Sequence, residues 1–435
     1  MILLPKVLSI FVINTFFRGI ISLGSLFFNI TLISSLPVID YGIFILTFTY
    51  ITGLCVLNRF GLDNLILKNF GNYFLEKNIT GIKTLIKYVN LFFISISLII
   101  FSIIFTLYYF EKINFFINLE IVEYFYILSI SIPFLSYLYL QRSSFRSIQY
   151  NTLSLLTELG AIHGFATLIL LATIILNVNI DIFLICSVFN LSTIIIVIVA
   201  EYLKHQLIRK KIKVITTLKI CTNQSFNFKK DLPDFVMNSF IQYLFQWIPI
   251  IIFGFYGLYE SLAYFNATIA LTIFVNFIYV SVVSFYATSY SHFYRTNNKT
   301  ELKKKVHESS ILMVTFGVPI GLFIIFFSYS IIRVSYGLEY IEINYILKIL
   351  VLSEIIALII GPAHMVLAMS DFNSINKRIN SFMCVIYIII LYLIIPNYGI
   401  FGVAICYFII IVGKSAIASF YVRKKLGINT YFHLR

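Results

Sequence analysis

The stretch NTFFRGIISLGSLFFN, residues 14–29, lies inside the first long apolar run of the chain and carries Arg18 near the middle of that run. A guanidinium stays protonated, and placing one at the centre of a bilayer costs about 2.5–3.5 kcal/mol. The composition indicates that the chain is embedded in a lipid bilayer. Of 435 residues, 60% are hydrophobic and 11% are charged, whereas soluble domains average about 25% charged residues. The sequence therefore predicts an integral membrane protein in which Arg18 requires an explanation.

Membrane spans can be read from the length of the apolar runs, since about 20 such residues cross a bilayer as a helix. Pro362 predicts a kink in the tenth span, and the turn around Gly399 separates the last two. Twelve spans are predicted, at 7–34, 41–58, 88–110, 121–140, 152–176, 180–201, 235–256, 261–290, 310–332, 343–369, 379–396 and 398–421.

The basic segment 202–234 divides these spans into six and six. That division is typical of transporters built from two repeats around a central site. We therefore expect an all-α membrane protein with two six-helix bundles, 1–201 and 235–435, related by pseudo-twofold symmetry. The segment 202–234 is the predicted cytoplasmic connector, and a cytoplasmic tail ends the second bundle.

Basic residues indicate how the spans are oriented. With the N-terminus in the cytoplasm, nearly all of the 32 lysines and arginines fall in cytoplasmic segments. Lys112 and Arg333 fall on the opposite face, while Arg18, Lys348 and Lys414 fall within spans. This positive-inside pattern predicts that both termini are cytoplasmic. It accounts for the net charge of +14 without a nucleic acid, and leaves anionic phospholipid as a partner at the cytoplasmic face.

The sequence lacks the common enzymatic motifs. It contains no GxxxxGK[ST] phosphate loop, no HExxH and no GxSxG. The predicted outer-face loops are short, whereas a membrane polysaccharide polymerase normally needs a large one. The five cysteines have no metal-binding spacing. We therefore expect no enzyme activity, no cofactor and no metal.

Polar residues inside the spans carry the functional signal. In the first span they recur every three or four residues, which places them on one face of a helix. The seventh span repeats this pattern, and the eighth adds an asparagine. Such a face either packs inside the bundle or lines a water-filled cavity. The predicted cavity-lining residues are Asn14, Arg18, Ser22, Ser25, Asn29, Asn238, Gln242, Gln246 and Asn276.

Two intramembrane carboxylates, Glu158 and Glu354, are candidates for binding a coupling ion, because a carboxylate at this depth is costly and titratable. Glu158 is predicted about two turns into the fifth span, beside a Gly160-xxx-Gly164 pair that predicts close helix packing. The alternative is that one of the two neutralises Arg18. Lys414 is expected to extend towards the lipid headgroups.

Several segments resemble a known family. LPVIDYGIFILTFTYITGLCVLNRFGLDNLILKNFGNY, residues 36–73, is similar to the opening of Wzx-type polysaccharide flippases of the multidrug/oligosaccharidyl-lipid/polysaccharide exporter (MOP) superfamily. SYGLEY (335–340) resembles the family's loop between the ninth and tenth spans. IPNYGIFGVAICY (395–407) resembles its turn between the last two spans, and VRKKLGI (422–428) resembles its tail. The resemblance extends over nearly the whole chain, and it identifies the superfamily better than the substrate.

This resemblance implies two six-helix bundles around a lumen that opens alternately to each side of a bacterial inner membrane. The implied cargo is an undecaprenyl-diphosphate-linked O-antigen or capsule repeat unit, moved to the periplasmic leaflet with a proton or sodium gradient. An O-unit polymerase and a chain-length regulator are the implied partners. Arg18 would bind the diphosphate, and the amide side chains would bind sugar hydroxyls.

Four rival functions remain open at this stage. Two are transport functions of the same superfamily, a lipid II flippase and a small-molecule drug exporter. From other classes, the chain could be a membrane polysaccharide polymerase or a non-transporting assembly subunit.

Overall fold

The computed structural model describes the backbone of residues 3–75, 79–109, 119–148, 150–215 and 228–432. Side chains before Phe16, including that of Asn14, lie outside the described part, as do those of some later residues. Within these ranges every regular element is a helix. The helices are α1 (Leu3–Ser35), α2 (Val38–Arg59), α3 (Leu62–Leu75), α4 (Ile79–Tyr109), α5 (Leu119–Ser129), α6 (Ser131–Ser147), α7 (Asn151–Leu155), α8 (Leu159–Ile175), α9 (Ile182–Ile215), α10 (Phe228–Phe255), α11 (Tyr259–Arg295), α12 (Lys299–Tyr336), a 3₁₀ helix (Leu338–Ile343), α13 (Asn344–Ile360), α14 (Ala363–Ala368) and α15 (Asn373–Leu426).

The described helices make this a multi-pass membrane protein. Nine are long and apolar enough to cross a bilayer, and a tenth span results if α5 and α6, bent by 47°, are counted together. Helix α8 is apolar but shorter. The element α15 covers both of the last two predicted spans as two helices that meet at a kink, where Gly399 has non-helical backbone. Each of the twelve predicted spans overlaps one of the observed helices.

The predicted kink at Pro362 is confirmed as a complete break. Helix α13 ends at Ile360, Gly361 has a positive φ of 89°, and α14 begins after Pro362. The segment that follows α15 packs into this break. Ser310 Oγ donates to the carbonyl oxygen of Thr430 at 2.7 Å, and the amide of Phe432 donates to Ile359 O at 2.9 Å. That second bond provides a donor for one of the carbonyls at the end of α13, which a helix end leaves without an intrahelical partner.

The chain divides into two compact units. One contains residues 23–243, and the other contains residues 1–22 together with 244–435. We call them the 23–243 unit and the 244–435 unit. Helices α1 and α10 each contribute residues to both. The predicted domain boundaries, the pseudo-twofold symmetry and the cytoplasmic termini stay predictions, and residues 216–227 of the connector lie outside the described residues.

Close helix packing at the predicted glycine pair is confirmed in the 23–243 unit. Gly24 of α1 faces the start of α8, where a Cβ on Gly24 would lie 2.5 Å from Gly160 O and 3.1 Å from Gly164 Cα. Because these neighbours are backbone atoms, α1 and α8 can approach this closely only without a side chain at Gly24.

Helix packing in the 244–435 unit is also tight, but the close neighbour of the glycine there is a side chain. A Cβ on Gly321 of α12 would lie 2.6 Å from the side chain of Ile355 on α13. The neighbour here is a flexible side chain rather than a backbone atom. Helix α13 is therefore held against α12 next to Glu354, the acid of the second predicted coupling site.

Candidate functional site

The polar stripe on α1 falls into parts with different surroundings. Arg18 is half-buried in the 244–435 unit, where its Nη1 donates to Ser284 Oγ on α11 at 3.3 Å. Ser22 is half-buried in the same unit. The Arg18 guanidinium thus lies on an apolar helix and donates to a hydroxyl of α11.

Ser25 and Asn29 lie in the 23–243 unit, and both make internal hydrogen bonds. Ser25 Oγ lies 3.1 Å from His163 Nδ1 on α8. Asn29 Oδ1 accepts from the Tyr41 hydroxyl at 2.7 Å, and Asn29 Nδ2 donates to Ser25 O at 2.8 Å. The His163 ring stacks on Phe28, with 4.6 Å between the ring centroids. These contacts join α1 to α2 and α8, so they match the packing interpretation of the stripe.

The predicted amide residues of α10 and α11 also differ among themselves. Asn238 is half-buried, and Gln242 and Gln246 are exposed. Asn276 of α11 is directed at an acid, since its Nδ2 lies 3.5 Å from Glu354 Oε2. The structure therefore connects one member of the predicted cavity-lining set with one of the predicted ion-binding carboxylates.

Glu354 is the centre of a polar cluster in the 244–435 unit. Its side chain is on α13 and is only 7% exposed. The Tyr407 hydroxyl on α15 donates to Glu354 Oε1 at 2.8 Å, and Asn276 reaches the other carboxylate oxygen. Burying a carboxylate is costly unless donors or a counter-charge compensate for the lost water. Two donors from two helices provide part of that compensation.

Lys414 lies on α15, and the expectation that it extends towards the lipid headgroups stays a prediction. Its side chain is half-buried, its Nζ lies 4.9 Å from the centroid of the Phe245 ring, and it interacts electrostatically with Glu354.

Glu158 has surroundings that also correct a prediction. It does not lie two turns into a span: the chain breaks after α7, and Glu158 directly precedes α8. Its Oε1 lies 3.1 Å from Arg146 and 3.9 Å from Arg142, both on α6. Sequence periodicity could not reveal this ion pair, because its members belong to different helices. A role for Glu158 in ion coupling stays a prediction.

The arginines that contact Glu158 belong to a wider cluster that sequence reasoning missed. Arg142 lies 5.0 Å and Arg59 lies 4.0 Å from the centroid of the Tyr139 ring. Arg59 also pairs with Asp63 at 3.2 Å. The acids and bases of this cluster pair with one another in the 23–243 unit, so its geometry is that of a structural network.

The fold of this chain is similar to that of solved transporter structures. No protein-family model matches the sequence, and no curated protein matches it. The chain is similar to a solved structure of the MATE multidrug transporter DinF-BH, with 14% identity, a TM-score of 0.71, and coverage of 99% of this chain and 97% of that one.

Two further solved structures show the same similarity. An inward-facing multidrug resistance MATE family transporter of the MOP superfamily has 13% identity, a TM-score of 0.69, and coverage of 95% and 98%. An outward-facing structure of such a transporter has 13% identity, a TM-score of 0.66, and coverage of 97% and 95%. At this identity the similarity concerns the fold. The chain thus has the fold of the MATE transporters of the MOP superfamily, as the sequence resemblance predicts at superfamily level.

Proposed function

We propose that this protein flips undecaprenyl-diphosphate-linked oligosaccharide repeat units, of O-antigen or capsule type, from the cytoplasmic to the periplasmic leaflet of a bacterial inner membrane. It works by alternating access and is driven by an ion gradient. The fold supports this mechanism, since similar structures are described as inward-facing and outward-facing transporters. In this proposal the chain is a transporter with twelve spans rather than an enzyme.

The position of Arg18 is the observation that supports the proposed identity of the transported molecule. A diphosphate is best bound by guanidinium groups, which stay charged and donate several hydrogen bonds in one plane. Arg18 supplies such a group on an apolar helix, with Ser284 beside it. Exposed amides such as Gln242 and Gln246 have the donors and acceptors that sugar hydroxyls need.

Glu354 is the better candidate of the two carboxylates for ion coupling. Its two carboxylate oxygens accept hydrogen bonds from Tyr407 and Asn276, whereas Glu158 is paired with two arginines. A carboxylate that exchanges an ion has to be accessible to that ion in one conformation of the transporter. It also needs an oxygen that is not already paired with a permanent positive charge. An O-unit polymerase and a chain-length regulator are the partners that would use the translocated unit.

Deletion of the gene, followed by rescue, tests the proposed cargo. Lipid-linked glycan exposed at the periplasmic leaflet of spheroplasts is measured with a membrane-impermeant glycan-modifying reagent. Loss on deletion, restoration by the wild type, and failure of Arg18→Gln are expected, with partial rescue by Arg18→Lys because a lysine keeps only the charge. Arg333→Gln, at an exposed position on α12, is the matched control and should rescue. Outward translocation that continues without the protein would refute the proposal.

A second candidate is multidrug export, because the similar structures are described as multidrug transporters. It predicts that the deletion strain becomes sensitive to several unrelated drugs while translocation of lipid-linked glycan is unchanged. The same strain set therefore distinguishes the two functions.

A further inference from the structure

The segment that follows α15, residues 427–432, is not helical and packs along one side of the 244–435 unit. Gly427 ends α15 in the left-handed conformation, with a φ of 70°, and the chain turns there. Ile428 and Thr430 are then buried, whereas Tyr431 is 40% exposed. This alternation is typical of an extended segment that packs with one side. We call residues 427–432 the strap.

Hydrogen bonds join the strap to three helices. Thr430 O accepts from Ser310 Oγ of α12 at 2.7 Å, and Thr430 Oγ1 lies 2.7 Å from Ser419 Oγ of α15. The amide of Phe432 donates to Ile359 O, in the last turn of α13, at 2.9 Å. The strap therefore ties the end of α13 to α12 and to α15.

The break between α13 and α14 has the shape and the acceptor that the strap needs. Gly361 has a φ of 89°, and a Cβ there would collide with Thr430 O and lie 2.9 Å from Ser310 Oγ. Only glycine therefore leaves room for the strap at this position. Because Pro362 has no N–H, the break leaves carbonyls of α13 without helical donors, which is costly where water is scarce. The strap supplies one of the missing donors.

The helix that the strap holds is the one that carries Glu354. At 1.5 Å per residue, Glu354 lies about 7.5 Å before Ile359 along the axis of α13. Its hydrogen-bond donors belong to other helices, Asn276 to α11 and Tyr407 to α15. Helices α13 and α15 are thus joined at two levels, by the bond between Glu354 and Tyr407 and by the strap. Fixing the end of α13 restricts where the acid can lie.

We propose that the strap is a positioning element for Glu354: by fixing the end of α13, it keeps the carboxylate between its two donors and closed to solutes. When the strap is loosened, α13 moves relative to α15, the hydrogen bond from Tyr407 breaks, and the carboxylate becomes accessible. The inference deepens the proposed ion coupling and rests on Glu354 as the acid that exchanges the ion. The accessibility of Glu354 is measured on the protein alone, so the inference can fail independently of the cargo.

Labelling of the purified full chain with a membrane-permeant carbodiimide tests the proposal, with mass spectrometry giving the rate at each acid well below the unfolding midpoint. Phe432→Pro removes the N–H that donates to Ile359 O, and Phe432→Ala is the matched control that keeps it. We expect labelling of Glu354 to be about five-fold faster or more in Phe432→Pro, because the end of α13 opens locally. Phe432→Ala should stay close to the wild type. Glu158, in the 23–243 unit, should keep its wild-type rate in both variants.

A second pair of variants tests the other end of the strap. Ser310→Ala removes the hydroxyl that donates to Thr430 O, whereas Ser309→Ala removes a neighbouring buried hydroxyl that accepts from Tyr290 at 2.6 Å. Faster labelling of Glu354 is expected in Ser310→Ala and not in Ser309→Ala. This pair decides the question if Phe432→Pro does not fold.

Two outcomes separate the strap from the proposed function. Folded strap variants that have a lower unfolding midpoint but label Glu354 at the wild-type rate would make the strap a purely stabilising element and overturn the proposal. Faster labelling of Glu354 in a strap variant that moves glycan at the wild-type rate would uphold the positioning and refute Glu354 as the coupling acid.

Discussion

Glu158 and Glu354 have the same appearance in the sequence, an acid within an apolar run, but the structure gives them opposite surroundings. Glu158 lies at a chain break before α8 and pairs with two arginines of α6. Glu354 lies within α13, is buried, and accepts hydrogen bonds from a tyrosine and an asparagine of two other helices. Both acids lie in apolar sequence, so the surrounding sequence does not distinguish them. The side chains that contact each acid distinguish a structural carboxylate from one that can exchange an ion.

Replacing each acid by glutamine should give the largest difference in glycan translocation between the two sites. Glu354→Gln keeps the size of the side chain and the possibility of a hydrogen bond with Tyr407, so we expect a folded protein. Loss of the exchangeable carboxylate should lower glycan translocation by about 100-fold or more, while Glu158→Gln should remain within a few-fold of the wild type. Translocation is measured by rescue of the deletion strain at matched protein levels. Equal losses in the two variants would remove the distinction between the sites.

Helix packing beside the two acids should differ in its tolerance of an added methyl group. In Gly24→Ala the new Cβ meets the backbone of Gly160, so α1 and α8 must separate, and we expect a loss of about 1–3 kcal/mol. In Gly321→Ala the Cβ meets the side chain of Ile355, which can rotate, so the loss should be smaller. Thermal unfolding midpoints in detergent compare the two. A larger shift for Gly321→Ala would contradict this ranking.

Removing the tyrosine hydroxyl should weaken the Glu354 site by a moderate amount. Tyr407→Phe deletes the hydrogen bond at 2.8 Å to a buried carboxylate, and bonds of this kind contribute about 1.5–3 kcal/mol. We expect a lower unfolding midpoint and reduced translocation. Tyr264→Phe is a suitable control, because its hydroxyl contacts Glu260 at an exposed position of α11. Stability changes of equal size in the two variants would indicate that the hydrogen bond to Glu354 stabilises the protein no more than the exposed one does.

The ion pair of Glu158 should show the smallest effect. Arg146 and Glu158 are 36% and 20% exposed, and pairs of this kind contribute about 0.2–1 kcal/mol. A double-mutant cycle with Arg146→Ala and Glu158→Ala, followed by thermal unfolding, should give a coupling energy within that range. A coupling energy several times larger would make this pair a principal structural element of the 23–243 unit.

Much of the fold could be predicted because it depends on local patterns. Apolar runs locate the helices, Pro362 marks the break after α13, and the glycine spacing at Gly160 and Gly164 identifies a tight helix contact. The turn around Gly399 is recognisable for the same reason, and the structure has non-helical backbone at a kink between two helices there. These signals act over one helical turn or a few residues, so a single sequence contains them.

The site was less predictable because it depends on contacts between helices. Glu354 and Asn276 were separate candidates, and nothing in their spacing indicated that they touch. Tyr407 is one of 30 tyrosines, and no pattern in the sequence distinguishes it from the others. The polar stripe on α1 is visible in the sequence as a periodic pattern. The hydrogen bonds of Ser25 and Asn29 show that part of this stripe joins α1 to neighbouring helices.

Reconstitution tests the central claim most directly. Purified protein is placed in liposomes with lipid-linked glycan extracted from the deletion strain, a proton gradient is imposed, and the glycan exposed on the receiving leaflet is measured over time. The account predicts gradient-driven accumulation with the wild type and with Glu158→Gln, and none with Glu354→Gln. Gradient-driven accumulation with Glu354→Gln, or none with the wild type, would contradict it.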